Sequence, residues 1–409
     1  MTIRECIQRS PIANLQDGLR AIEARESEVR AWACLGEEAA LERARSADLD
    51  GPLRGVPAGV KDIYDTRALP TELGSELYRG RRPGTDCAVV ERLEELGAIV
   101  VGKTHTTGFA YFDPSPARNP HDLTRTPGGS SSGSAAAVAA GMVPLAVGSQ
   151  TMGSVLRPAS FCGVTGFMPT YGRVSLEGVL ALAPSLDHVG FFTATGAEME
   201  LFWEAFSGDE AQAALEGRFA LLDWPPGGAV EPEMEAAMAD TADRLRAAGL
   251  DIRQTAAPAS FLQLPEATLT VFAKEAAEVH RRRFDEFGER IGAKLAALVV
   301  RGRAIAEDEY AGAQSAIQAA ARDFAEFAKL YPITLTPAAL GPAPIGLGST
   351  GDPAANAPWT ALGGPAVSIP MPVEGMPLGL QMSSAVGSDS ALLATARLLE
   401  RLLAGSAPE

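Results

Sequence analysis

The stretch Ala88-Val-Val-Glu-Arg-Leu-Glu-Glu-Leu-Gly97-Ala-Ile-Val-Val101 carries two hydrophobic patterns back to back. Val89, Val90, Leu93 and Leu96 recur at helical spacing, and Gly97 is the residue type that ends a helix in the left-handed conformation. Ala98 to Val101 then reads as a short buried strand, apolar throughout and rich in β-branched residues. A helix that passes at once into such a strand belongs to layered α/β architecture. Further out, Val56, Val60 and Ile63 predict a strand entering a loop, and Leu145 to Val147 predicts another. Between them, Pro114, Pro116, Pro120 and Pro127 lead into Gly128-Gly-Ser-Ser-Ser-Gly-Ser134, which is turn chemistry. An alanine helix from Ala135 to Ala140 follows, with Ser134 placed to cap it, and Ser149 to Ala159 reads as irregular.

The first fifty residues read as helices, with Leu15, Leu19 and Ile22 on one face and helix formers from Glu37 to Ala44. From 196 to 330 the chain is mainly helical. A helix from Ala197 to Phe206, a strand from Phe219 to Leu222, and a helix striped by Met234, Met238, Thr241 and Leu245 precede helical sequence from Pro265 to Lys329. Leu335 to Pro358 is a proline-rich loop of a length usually tied to function. Strands near Ala366–Ile369 and Leu378–Met382 and a helix from Asp389 to Leu403 close the chain. At ~150 residues per domain, 409 residues allow two or three domains or one large one. The texture favours a single domain over 1–409: N-terminal helices (1–50), a core (52–195), a mainly helical insertion (196–330) and a return to the core (331–409).

Thirty-five basic against 51 acidic residues give a net charge of −16, which argues against a nucleic-acid partner. With 46% hydrophobic and 21% charged residues, global disorder is excluded. Cys6, Cys34, Cys87 and Cys162 lie far apart with no C-x-x-C pair, as reduced thiols would, and no clustered His/Cys set calls for a metal. Met1-Thr-Ile-Arg-Glu-Cys6 lacks a signal-peptide pattern, and the longest apolar stretch, Ala135–Val147, is broken by Gly141 and Pro144. The expectation is a cytoplasmic protein with no membrane partner.

The chemistry must come from a hydroxyl. Only His105, His121, His188 and His280 are available for a Ser-His-Asp triad. Gly129-Ser-Ser131-Ser-Gly133 satisfies G-x-S-x-G, but Asp122 to Pro127 before it cannot be the buried strand that a nucleophile elbow needs. No Lys-Ser or Lys-Thr closes a phosphate loop either. A lysine base is the better fit, provided it is neutral. At an ordinary pKa a lysine is neutral roughly once in 2,500 molecules at pH 7, and bringing it to neutrality costs about 4.6 kcal/mol of desolvation or neighbouring positive field. Lys61, between Val60 and Asp62, suits this. In an extended segment Asp62 points to the opposite face and does not simply pair with it.

Three segments read together are more specific. Gly55-Val-Pro-Ala-Gly-Val-Lys61-Asp62, Gly128-Gly-Ser130-Ser-Ser-Gly-Ser134-Ala-Ala-Ala-Val138 and Gly148-Ser-Gln-Thr-Met-Gly-Ser154-Val-Leu-Arg157-Pro158-Ala159 resemble the amidase signature family. Phe161 to Ser175, Gly351-Asp352-Pro353 and Pro358-Trp359 extend the resemblance. It implies an α/β fold with a mixed, twisted central β-sheet covered by helices, no cofactor, and pairing as a homodimer. It places the family triad on Lys61, Ser130 and Ser154, with a cis peptide between Gly129 and Ser130. In that scheme Lys61 draws a proton through Ser130 from Ser154, which attacks the amide carbonyl. Ser130 returns a proton to the leaving amine, and backbone N–H groups of Thr151, Met152, Gly153 and Ser154 form the oxyanion hole. Water then hydrolyses the acyl-enzyme, with ammonia released from a small linear amide.

Two residues depart from the family pattern. Met152 stands where many members have glycine, closes the positive-φ region to that position, and narrows the acyl pocket if it points inward. Met168 replaces a lysine and fills apolar space. The Gly-Ser-Val-x-Arg-Pro arrangement resembles the malonamidase-like branch, whose substrates are short carboxylated amides. Arg157, biased towards an extended conformation by Pro158, is then the carboxylate ligand, beside Gly129 at the substrate. The competing role for Arg157 is an internal ion pair that holds the loop. Asp187 and His188 read as structural, Ser149 as a hydrogen-bond partner of the triad, and Lys103 as a strand-end charge. Alternative activities are a urea- or carbamate-type C–N hydrolase, a glutaminase-like subunit of an amidotransferase, and a non-catalytic homologue disabled by Met152.

Overall fold

A computed structural model describes residues 1–46, 49–225 and 230–405. One mixed sheet organises the chain. Its strands are β1 (Trp32–Leu35), β2 (Pro57–Lys61), β3 (Ile99–Thr104), β4 (Leu145–Gln150), β5 (Thr165–Met168), β6 (His188–Thr193), β7 (Arg218–Leu222), β8 (Asp251–Thr255), β9 (Ile333–Pro337), β10 (Ala366–Pro370) and β11 (Gly379–Ser383). Their spatial order is β1-β3-β2-β4-β6-β5-β10-β11-β9-β7-β8. β2 runs parallel to β3 and β4, and β7 parallel to β8 and β9, while the pairs in between are antiparallel. Helices cover the sheet, as expected for an α/β domain.

The opening stretch folds as its pattern demands. A helix spans Ala88–Glu95, and Gly97 (φ +87°) turns the chain into β3. A side chain at Gly97 would meet the Asp50 carbonyl oxygen at 2.2 Å, so only glycine allows the helix and strand to close so tightly. β3 runs further than the apolar run suggests, through Gly102, Lys103 and Thr104, and buries all three. The aromatic residues Phe167, Phe191, Phe202, Trp203 and Phe206 pack between β5, β6 and the helix Gly196–Ser207.

Several local expectations are corrected. Trp32–Leu35 is a strand within the helical first fifty residues; only Trp32 of its four is buried, so the period is weak. The alanine helix starts at Ser132 with Ser131 before it, so Ser134 lies inside and its hydroxyl donates to the Val147 carbonyl (2.8 Å). β4 continues to Gln150, and Ser149–Ala159 is irregular only as far as Val155, since Leu156–Cys162 is a helix. Arg157 is therefore helical, not extended. Pro158 sits in the first turn, where a missing N–H costs no hydrogen bond. The mainly helical stretch also contributes β7 and β8 to the edge of the same sheet. No helix among the described residues is long and apolar enough to cross a membrane.

Candidate active site

The parallel pair β2 and β4 puts Val60 opposite Val147. Lys61 ends β2, and Ser149 and Gln150 end β4. The turn before the helix Ser132–Ala139 brings Ser130 and Ser131 onto the same end. This is the crevice beyond the carboxyl ends of parallel strands, where helices and loops leave room for a ligand.

Lys61 is fully buried, and its Nζ donates to Ser130 Oγ (2.7 Å), Ser149 Oγ (2.8 Å) and Ser131 Oγ (3.1 Å). No carboxylate pairs with it among the described residues. Burial pushes its ammonium pKa well below the usual lysine range, and attraction from Asp187 opposes this only in part. Lys103, equally buried on the adjacent strand, behaves differently. It pairs with Asp62 (3.3 Å) and donates to Tyr64 O and Thr71 Oγ1 (2.7 Å each). Asp62 thus faces away from Lys61, and Lys103 is an interior ion pair, not a strand-end charge.

A depressed lysine pKa has a consequence for stability. Between the lowered folded value and the ordinary ~10.4, the unfolded chain binds more protons, so stability rises with pH through that window. Lys61→Met should therefore raise Tm at pH 7.5, and the gain should shrink by pH 9.5. Thermal melts at the two pH values test this; a methionine variant that melts lower at pH 7.5 would mean that the buried amine is worth more than its desolvation cost.

The serine run separates by partner. Ser131 Oγ donates to Ser149 O (3.2 Å), Ser132 Oγ to Gly128 O (2.8 Å) and Ser134 Oγ to Val147 O (2.8 Å). Only Ser130 accepts from Lys61 while its own proton has no protein acceptor among the described residues. The Gly129–Ser130 peptide is cis, and the Gly129 carbonyl accepts from Arg157 Nη2 (2.7 Å).

After β4 the chain makes the turn Thr151–Ser154. Gln150, buried, closes it from behind: its Oε1 accepts from Val155 N (2.9 Å) and Leu156 N (3.1 Å), satisfying the start of the next helix. Its Nε2 donates to Thr360 Oγ1 (3.0 Å) and Met168 Sδ (3.1 Å), so Met168 does more than fill space. The peptide N–H groups of Thr151, Met152, Gly153 and Ser154 have no protein acceptor among the described residues, the condition for an oxyanion site. The positive φ (+150°) falls on Gly153, not on Met152, and a side chain at Gly153 would meet Asn356 Oδ1 at 2.7 Å. Met152 therefore adopts the turn with ordinary backbone angles.

Asp187 anchors this turn from the side. Its carboxylate accepts from Thr151 Oγ1 (2.6 Å), Leu182 N (2.8 Å) and Ala183 N (3.1 Å), and burial pushes its pKa up to about 6. His188 Nδ1 contacts Leu186 O (2.7 Å), a structural contact.

Ser130 and Ser154 line one narrow cleft, with Thr151, Met152, Arg157, Thr350, Ala110, Tyr111, Phe112, Leu182 and Phe272. Among the described residues, Arg157 is its only charged lining residue. Its Nε donates to Thr350 O (2.8 Å) and its Nη2 to Gly129 O, while Nη1 is buried without a partner. Burial lowers its pKa to about 10, which leaves it cationic at neutral pH. It forms no ion pair among the described residues, although Asp352 acts on it electrostatically. Sequence reading missed Gln150, Thr350 and the aromatic wall: Thr350 lies in the long loop and the rings come from distant segments, so no spacing connects them. The four cysteines are free, and no group of three metal-ligating side chains occurs among the described residues.

Comparison with known proteins gives the family and the fold. The family model described as Amidase matches residues 13–393. The glutamyl-tRNA(Gln) amidotransferase A subunit of Koribacter versatilis is 31% identical over 97% of this chain and 96% of its own length. Its counterpart in Acidobacterium capsulatum is 35% identical over 68% of this chain, which spans 64% of that protein. The crystal structure of an amidase superposes with a TM-score of 0.90 at 30% identity, covering 98% of this chain and all of the other. A chain from a vestigial complex that bears on the origins of an s-triazine catabolic enzyme superposes with a TM-score of 0.88 at 26% identity, covering 100% of this chain and 99% of the other. The chain belongs to the amidase signature family, hydrolases of the amide C–N bond.

Proposed function

We propose that the chain is an amidase whose triad is Lys61, Ser130 and Ser154, acting on a small linear amide that carries a carboxylate. The observation that carries this reading is Lys61: a fully buried amine, bonded to hydroxyls only, next to the one serine of the run whose proton is uncommitted. Neutral Lys61 accepts the Ser130 proton as Ser130 accepts that of Ser154, and Ser154 Oγ attacks the carbonyl carbon. The turn N–H groups of Thr151 to Ser154 take up the negative charge on the carbonyl oxygen. Ser130 protonates the departing nitrogen, ammonia leaves a primary amide, and water cleaves the ester on Ser154. Met152 is compatible with this chemistry, because the turn takes its positive φ at Gly153.

The unpartnered Nη1 of Arg157 supports carboxylate recognition. A buried guanidinium nitrogen without a partner among the described residues, on a side chain that lines a cleft with no acidic residue in its described lining, is relieved by an anion. The test is ammonia release at pH 7.5 from carboxylated and neutral amides of equal size, with Ser154→Ala as control. Serine-dependent release favouring malonamate- or succinamate-like substrates is expected. Arg157→Ala should lower kcat/KM for both kinds, since it also frees the Gly129 carbonyl. The carboxylated amide should lose ~10–100-fold more than the neutral one, the worth of a charge-assisted hydrogen bond. Equal losses would make Arg157 a structural strut.

A second reading, a glutaminase-like subunit of an amidotransferase, is favoured by the names of the relatives that match over most of this chain. Purification of the chain with stoichiometric partner subunits, and ammonia release from glutamine, would select it.

A further inference from the structure

The lining of the cleft divides by chemistry. Ser130, Thr151, Ser154, Arg157 and Thr350 are its polar set, whereas Ala110, Tyr111, Leu182 and Phe272 offer no charge and, the Tyr111 hydroxyl apart, no side-chain hydrogen-bonding group. Phe112 links the two sets, since its ring centroid lies 6.0 Å from the Arg157 guanidinium carbon and 4.9 Å from that of Tyr111. Tyr111 and Phe272 stand together, with ring centroids 5.8 Å apart and planes tilted by 37°. Phe272 comes from the helix Leu264–Val279, far from the signature segments in sequence.

The Tyr111 side of this wall is built at a conformational cost. Phe109 (φ 51°) and Ala110 (φ 60°) are successive non-glycine residues in the left-handed region, which L side chains rarely adopt. They are held there by Phe109 N to Leu73 O, Ala110 N to Thr107 O and Tyr111 N to Gly108 O, each 2.9 Å, and Lys294 Nζ pins the Phe112 carbonyl (2.9 Å). Strain maintained by so many contacts sets the wall in place rather than leaving it to a free loop.

Position decides what the wall reads. The unpartnered Arg157 Nη1 lies beside Gly153, 3.2 Å from where a Cβ would be, so a bound carboxylate sits next to the nucleophile's turn and leaves room for only a short acyl chain. Among the lining rings Arg157 meets Phe112, so Tyr111, Leu182 and Phe272 are left for the other side of the scissile bond. Ammonia would cover none of them, whereas an apolar substituent on nitrogen would remove them from water.

We propose that Tyr111, Phe272 and Leu182 form a leaving-group subsite, and that the enzyme cleaves secondary amides of a short carboxylated acyl group with an apolar, preferably aromatic-bearing, amine. This rests on the serine-hydrolase reading above. The Ser154 Oγ–C bond forms as the C–N bond breaks, the amine departs neutral with the proton from Ser130, and water then releases the dicarboxylate and restores Ser154. No further reactant is needed.

Succinamate, its N-benzyl amide and the longer primary amide adipamate test it. Benzylamine is a leaving group with no activating aryl–nitrogen bond, so a preference for it reports binding. The N-benzyl amide should exceed succinamate in kcat/KM by about 10-fold or more, the yield of burying one ring. Tyr111→Ala and Phe272→Leu should each lower that ratio several-fold, with Phe272→Leu keeping the interior filled. The proposal is overturned if succinamate is equal or better, if adipamate takes the gain instead (the wall then reads the acyl chain), or if both variants leave the ratio unchanged. Failure of the underlying reading looks different: no carboxylated amide, primary or substituted, is then cleaved in a Ser154-dependent way.

Discussion

Alanine in place of Lys61 is expected to lower kcat/KM at pH 7.5 by ~10³–10⁴-fold, the usual loss when the base of a serine triad is removed. The size follows from what Lys61 does alone. Among the described residues it is the only ionisable side chain bonded to Ser130, and Asp187, the charge acting on it, is occupied by Thr151 and two backbone N–H groups. Among the described residues, no other ionisable side chain is hydrogen-bonded to Ser130 or Ser131. Activity that survives would come from the turn N–H groups and from binding at Arg157. Steady-state kinetics with a thermal melt of the same variant separate the two effects, because the loss of a buried amine need not weaken the fold. Turnover within a few-fold of the parent would remove Lys61 as the base.

The second large effect distinguishes neighbours in one run. Ser130→Ala should cost ~10²–10⁴-fold in kcat with a smaller change in KM, because the relay and the protonation of the leaving amine both pass through its hydroxyl. Ser132→Ala should cost far less, since its hydroxyl only ties back to the Gly128 carbonyl. Ser131→Ala falls between them, because Ser131 Oγ links Lys61 to the Ser149 backbone at both O and N. Measuring kcat and KM for the three alanine variants gives the order; a Ser131→Ala loss equal to that of Ser130→Ala would move the relay.

The triad candidates were legible in the chain on unequal grounds. Lys61 was suggested by the residues themselves, as a lysine beside Val60 with Asp62 on the opposite face, yet a surface Lys-Asp pair fits the same spacing until the three segments are read together. Ser130 was not so suggested: three adjacent serines carry no periodicity that tells them apart, and only resemblance selected one. Their hydroxyls differ through their partners: Ser131 donates to the Ser149 carbonyl at the end of β4 and Ser132 to the Gly128 carbonyl, whereas Ser130 accepts from Lys61. Arg157 was placed by motif, yet the extended conformation expected of it was wrong, because Pro158 occupies a helix's first turn.

Pattern in the chain was enough for the α/β class, the strand after Gly97, the sheet's closing strands and the family, because each of these is written in short-range periodicity or in contiguous motifs. The burial that depresses the pKa of Lys61, the different partners of the neighbouring serines, the unpartnered Arg157 nitrogen and the aromatic wall of the cleft were decided only by tertiary structure. Each depends on burial or on a partner from a distant segment, such as Thr350 on Arg157 and Phe272 against Tyr111. Desolvation and hydrogen-bond satisfaction are properties of a three-dimensional neighbourhood, and sequence spacing does not encode them.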